Sequence, residues 1–68
     1  MKTLPAIRHE LTKRETLILK FVAKGCSNKE IAGYLFISIE TVKKHLKNCY
    51  QKLDAHNKIE ALLKAGLF

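Results

Sequence analysis

The sequence predicts an all-α fold, a bundle of four short helices that contains a helix-turn-helix. Three observations predict it. Helix-start signatures recur along the chain at Thr12, Ser27, Ser38 and Asn57. Between them apolar residues return at three- and four-residue steps, with no β alternation, internal repeat or low-complexity tract. Residues 27–53, SNKEIAGYLFISIETVKKHLKNCYQKL, read as a short helix, a tight turn and a second helix whose outer face is largely lysine.

Residues 1–10 (MKTLPAIRHE) hold a proline and no sustained periodicity, and read as an N-terminal arm or the remnant of a linker; residues 11–68 read as the folded domain. The first helix is expected over 13–24. Thr12-Lys-Arg-Glu15 has the form of a capping box, Leu11 precedes it as a staple, and Leu17, Ile18, Phe21 and Val22 are read as the inward stripe. Gly25 tolerates the left-handed backbone that ends a helix. The second helix is expected over 28–35, opened by a second box at Ser27–Glu30, with Ile31, Ala32 and Leu35 inward. Gly33 inside it costs up to about 1 kcal/mol relative to alanine. Phe36-Ile37-Ser38 forms the turn, with Ile37 as anchor and Ser38 as cap. The third helix is expected over 39–53. The fourth runs over 58–65, from Asn57 with Glu60 as a looser box to the stop at Gly66. Each cap contributes about 1 kcal/mol, which matters for helices this short.

Sixty-eight residues make one domain, and 47% apolar content suits a packed chain. The formal charge of +7 points to a polyanionic partner, nucleic acid ahead of an anionic membrane. No apolar run approaches the roughly 18 residues of a membrane span, and Met1 to Pro5 do not open a signal peptide. A cytoplasmic chain is therefore expected, with no membrane partner and with Cys26 and Cys49 reduced. Neither cysteine stands at metal-ligand spacing, so no metal and no cofactor are expected. Cys26 reads as an exposed loop residue and Cys49 as a small core residue. No nucleophile–base constellation or phosphate loop is present, so an enzyme is not expected.

The third helix carries the functional signal. With Val42 at zero and 100° per residue, Cys49, Leu53 and Leu46 fall at about −20°, 20° and 40°, the buried stripe. Lys43, Lys47, Gln51 and Lys44 fall at about 100°, 140°, 180° and 200°, the opposite face. A solvated helix surface also carries lysines, but it usually balances them with acids at i±4, and none stands between Glu40 and Asp54. Lys43, Lys44 and Lys47 can donate to guanine O6 and N7 in a major groove, and Gln51 to base or backbone. Lysine discriminates less than arginine, because it is a point charge. Glu40 is read as a favourable charge on the helix dipole. His45 and Tyr50 flank the buried stripe and read as packed residues within reach of phosphate.

Over residues 11–67 the chain resembles the DNA-binding domain of LuxR-type transcriptional regulators, the group that includes FixJ, NarL and GerE. The resemblance is carried by Leu11-Thr12-Lys13-Arg14-Glu15, the run from Gly25 to Ala32, Leu35, Ile37-Ser38, Thr41-Val42-Lys43, His45, Asn48, Lys52-Leu53, Asn57, Glu60-Ala61 and Ala65-Gly66-Leu67. It implies a four-helix domain of the winged-helix-like DNA-binding class, with the second and third helices as the helix-turn-helix. It implies that Lys43, Lys44 and Lys47 face the major groove, and that Ser27, Asn28, Lys29, Thr41 and His45 lie near the DNA backbone. It implies a homodimer through the last helix, with Ile59, Leu62 and Leu63 as interface candidates beside the reading in which they pack as core. Three departures stand out: Lys58 where the family usually has arginine, Cys49 where it has a branched aliphatic residue, and Asp54-Ala55 where a glycine-valine pair is common.

The expected function is sequence-specific binding of double-stranded DNA in the regulation of transcription, either as the C-terminal output domain of a response regulator or as a stand-alone regulator. Two alternatives stay open. One is a promoter reader similar to region 4 of sigma factors, for which RNA polymerase is the partner. The other is a protein-interaction module that no longer binds DNA; the lysines of the third helix weigh against it.

Overall fold

A computed structural model describes residues 10–67 of the chain. Four helices follow one another: α1 (Lys13–Ala23), α2 (Asn28–Leu35), α3 (Ile39–Leu53) and α4 (Lys58–Lys64). No strand occurs among the described residues. The expected arm lies outside them apart from exposed Glu10.

Each start follows from its cap. The Thr12 hydroxyl accepts from the Glu15 amide at 3.0 Å, and the Glu15 carboxylate accepts from the Thr12 amide at 2.9 Å. Ser27 and Glu30 repeat the box at 3.1 and 2.8 Å. Ser38 caps α3 alone by accepting from the Thr41 amide at 3.0 Å. The fourth box is modified. Asn57 accepts from the Glu60 amide at 2.8 Å, but Glu60 reaches one residue further back, to the His56 amide at 2.6 Å.

All four helices end with the same six-residue closure: the amides of Cys26, Ile37, Ala55 and Leu67 donate to the carbonyls of Phe21, Ala32, Tyr50 and Leu62. Such an ending needs a left-handed residue. Gly25 and Gly66 supply it at two ends, as the sequence predicts; Phe36 (φ 56°) and Asp54 (φ 53°) supply it at the other two. Asp54 occupies the place where the resembled family has glycine, and its backbone shows why glycine suits that place.

Long α3 is the hub, with α1, α2 and α4 all packed against it. Ile18, Leu19, Ile31, Val42 and Cys49 are fully buried, joined by Val22, Ala32, Leu46 and Leu62. The α2 and α3 stripes stand as expected, with Leu35, Ile37 and Leu53 packed at the edge of the core. Two expectations change. The inward stripe of α1 is Glu15, Ile18, Leu19 and Val22, so Leu17 turns out to solvent and Phe21 lies only partly buried. Cys26 is not an exposed loop residue; it packs on the core as the apolar residue that follows a left-handed helix end. Leu62 is 3% exposed and belongs to the core.

Glu15 is the one buried charged residue among those described, 4% exposed. The Lys52 ammonium donates to its carboxylate at 2.8 Å, which ties the start of α1 to the end of α3. Burial raises the Glu15 pKa, but the Lys52 hydrogen bond, the Thr12 amide and the Lys52 charge outweigh it, and the net shift is downward.

Candidate nucleic-acid interface

Burying Val42, Leu46 and Cys49 forces the residues half a turn away into solvent. Lys43, Lys44, Lys47 and Gln51 are all exposed, as the helical projection requires. The only ion pair among the described residues is Lys52 with Glu15, so none of the three lysines is neutralised by an acid within 4.0 Å. The acids explain this. Glu15 is buried and paired, Glu30 and Glu60 are held in caps, and Asp54 lies beyond the C-terminal end of α3. Glu40 stands in the first turn, where it favours the helix dipole.

The N-terminus of α2 opens beside this face. Asn28, Lys43, Lys47 and Gln51 line one groove of about 500 Å³, together with Leu46, Tyr50, Ala55, His56 and one acid, Asp54, which forms no ion pair with either lysine. Residues from two helices thus meet at one surface. At the start of α2 the cap takes the Glu30 amide, while the amides of Asn28 and Lys29 belong to the first turn, where no helical carbonyl precedes them. Lysine ammonium groups, open helix amides and a glutamine side chain together form an array of donors suited to phosphate and base edges.

The remaining predicted residues lie around it. Ser27 and Lys29 are exposed at the start of α2. Thr41 is partly buried, its hydroxyl 2.8 Å from that of Ser38 at the start of α3. His45 is half-buried on the flank of the core stripe, and Lys44 stays exposed outside the groove. Burial, and then the neighbouring Cys49, raise the Tyr50 pKa, so the phenol keeps its proton and can donate. Burial pushes the Cys49 thiol up to about 11, which suits an inert core residue rather than a ligand. No group of three metal-binding side chains occurs among the described residues. His56 and Asp54 are polar groove residues that sequence reasoning missed, since residues between two helices carry no periodic signal.

The proposed dimer residues separate. Ile59 and Leu63 are 49% and 59% exposed and lie one turn apart on α4, whereas Leu62 is used by the core. An interface on α4 therefore has Ile59 and Leu63 to work with, because Leu62 has no surface left to offer. No helix among the described residues is long and apolar enough to cross a membrane.

Comparison with known proteins follows the same outline. Residues 9–65 match the family model for bacterial regulatory proteins of the luxR family. A nitrate/nitrite response regulator protein homolog of Haemophilus influenzae is 51% identical over 51 residues, covering 75% of this chain and 24% of that protein. The transcriptional regulatory protein LiaR of Bacillus subtilis is 49% identical over 61 residues, covering 88% of the chain and 29% of that protein. The response regulator protein VraR of Staphylococcus aureus is 42% identical over 65 residues, 96% of the chain and 31% of that protein. The chain thus spans between 24% and 31% of the length of these relatives.

Proposed function

The chain belongs to the LuxR family of bacterial regulatory proteins, and from that premise we propose that α3 enters the major groove of double-stranded DNA and reads its sequence. The observation that carries this reading is the face of Lys43, Lys44, Lys47 and Gln51, exposed, without an acid partner, and adjoining the N-terminus of α2.

Roles follow from position. Lys43 and Lys47 donate to guanine O6 and N7, and Lys44 and Gln51 to bases or phosphates at the edges of the groove. Ser27, Asn28 and Lys29 hold one strand's phosphates at the start of α2, where the helix dipole favours anions. Thr41 and His45 contact the other side of the groove. Phosphate contacts fix register; base contacts from α3 supply specificity. Two domains pair through Ile59 and Leu63 of α4, so that two α3 helices meet two half-sites. The relatives named as response regulators support an output role, in which a regulatory segment elsewhere controls this domain.

The test is selection of bound duplexes from a random pool at low and near-physiological salt. The proposal expects an enriched motif with two half-sites and an affinity that falls steeply as salt rises. Weak binding without any motif would overturn it.

A further inference from the structure

The outer face of α1 carries a second basic surface with a different character. With Leu17 at zero, Lys13, Lys20, Phe21 and Lys24 fall at about −40°, −60°, 40° and −20°. The buried Ile18, Val22, Glu15 and Leu19 fall at about 100°, 140°, 160° and 200°, on the side that faces α3. The three lysines and Leu17 are therefore turned away from the core. The lysine face of α3 is likewise turned away from its own buried stripe, so the two basic surfaces look out from opposite sides of the α1–α3 packing.

Like the α3 groove it has an apolar floor, but only lysines supply the polar groups of its main groove, where the α3 groove also carries Asn28, Gln51, Asp54 and His56. Leu17 is 39% exposed. A groove of about 390 Å³ is lined by Leu17, Lys20, Phe21, Ala23, Lys24 and Leu67, and a second hollow that shares Leu17 and Lys20 extends it past Lys13 toward Leu11. The Phe21 ring stacks on Tyr34 with centroids 5.4 Å apart, which gives the groove a firm wall. The one acid of α1, Glu15, is buried and neutralised by Lys52, so the charged side chains that line the furrow, Lys13, Lys20 and Lys24, are all positive.

We propose that the furrow on α1 docks an acidic amphipathic helix of a partner protein, whose apolar side chains sit on Leu17 and Phe21 while its carboxylates meet Lys13, Lys20 and Lys24. Charge complementarity sets the sign of the occupant, and an apolar floor rimmed by lysines alone, with none of the amide, imidazole or helix N-terminal groups of the α3 groove, suits a helix with an apolar stripe and carboxylates. The furrow and the α3 groove share no side chain, so one domain can hold DNA and a protein at once. The inference stands independently of the DNA reading, because neither set of side chains serves in the other.

The probe is a synthetic acidic helix of about four turns, with leucines at i and i+4 flanked by glutamates, and a scrambled isomer of it. Titrated into the isotopically labelled chain, the peptide is expected to shift the amides of Leu17, Lys20, Phe21 and Lys24 and to leave Lys43 and Lys47 unmoved. Lys20→Glu with Lys24→Glu, and separately Leu17→Ser, should each weaken it at least tenfold while thermal melting shows the variants folded. Equal binding of the scrambled isomer, shifts confined to α3, or no binding would each overturn the proposal. So would duplex DNA alone shifting the α1 furrow, which would make that surface a DNA contact.

Discussion

Replacing Lys52 by methionine isolates the tie between the two ends of the core. The substitution keeps most of the side chain's length and apolar stem and removes the charge that lies 2.8 Å from Glu15. Breaking a fully buried pair costs about 3–5 kcal/mol, and an exposed pair contributes about 0–1. Glu15 is 4% exposed, Lys52 is 28% exposed at its side chain, and the Thr12 amide still holds the carboxylate at 2.9 Å, so a loss of about 2 kcal/mol is expected at neutral pH. At about 0.05–0.15 kcal/mol per residue that is a large share of the stability of so small a domain. Urea denaturation followed by circular dichroism measures it. The pH dependence provides a second check. The Glu15 pKa in the folded chain lies below its ordinary value of 4.5, so the stability it contributes is present above that value and is lost as pH falls through the lower folded one. The gap between Lys52→Met and the wild type should therefore narrow below about pH 4.5. Adding Glu15→Gln, which can still accept from Thr12, should recover part of the loss. A Lys52→Met variant within about 0.5 kcal/mol of wild type, or a gap that does not change with pH, would refute the reasoning.

Other outcomes follow from the backbone and from α4. Gly33 has open space where a Cβ would stand, so Gly33→Ala should raise stability by about 0.5–1 kcal/mol and melting by a few degrees. Asp54→Gly should stabilise by about 1 kcal/mol, since it relieves a left-handed aspartate and removes an acid from the negative end of α3; the Lys64 bond to the residue 54 carbonyl is kept. Leu62→Ala should cost about 2–5 kcal/mol in denaturant titration. Ile59→Ser with Leu63→Ser should change monomer stability far less and should lower self-association in sedimentation.

Caps and periodicity made most of the fold legible. Ser, Thr or Asn followed three residues later by Glu marks helix starts by a local hydrogen bond, which the chain carries in its own sequence. The stripe of α1 was less legible. Residues 17, 18, 19, 21 and 22 are all apolar, so two faces fit equally, and the choice depends on Lys52, which reaches Glu15 from 37 residues away. Phe36 at a left-handed helix end was likewise hidden, because that strain is set by packing on both sides of the turn and not by the residue's own preference. The α3 lysine face was legible because three strong apolar positions, Val42, Leu46 and Cys49, leave its rotation no alternative. The groove joining Asn28 and His56 to that face depends on how α2 and α4 lie against α3, which no single-helix projection contains.

The central claim is that α3, and not the other basic surface, binds the duplex. The most direct measurement is the affinity for the selected duplex across a salt series, for wild type, for Lys43, Lys44 and Lys47 changed together to alanine, and for Lys20 and Lys24 changed together to alanine. The first variant should bind at least a hundredfold more weakly, with a salt slope shallower by about 2–3. The second should match wild type in both. The reverse pattern, or equal losses in the two variants, would contradict the assignment of α3 as the reading helix.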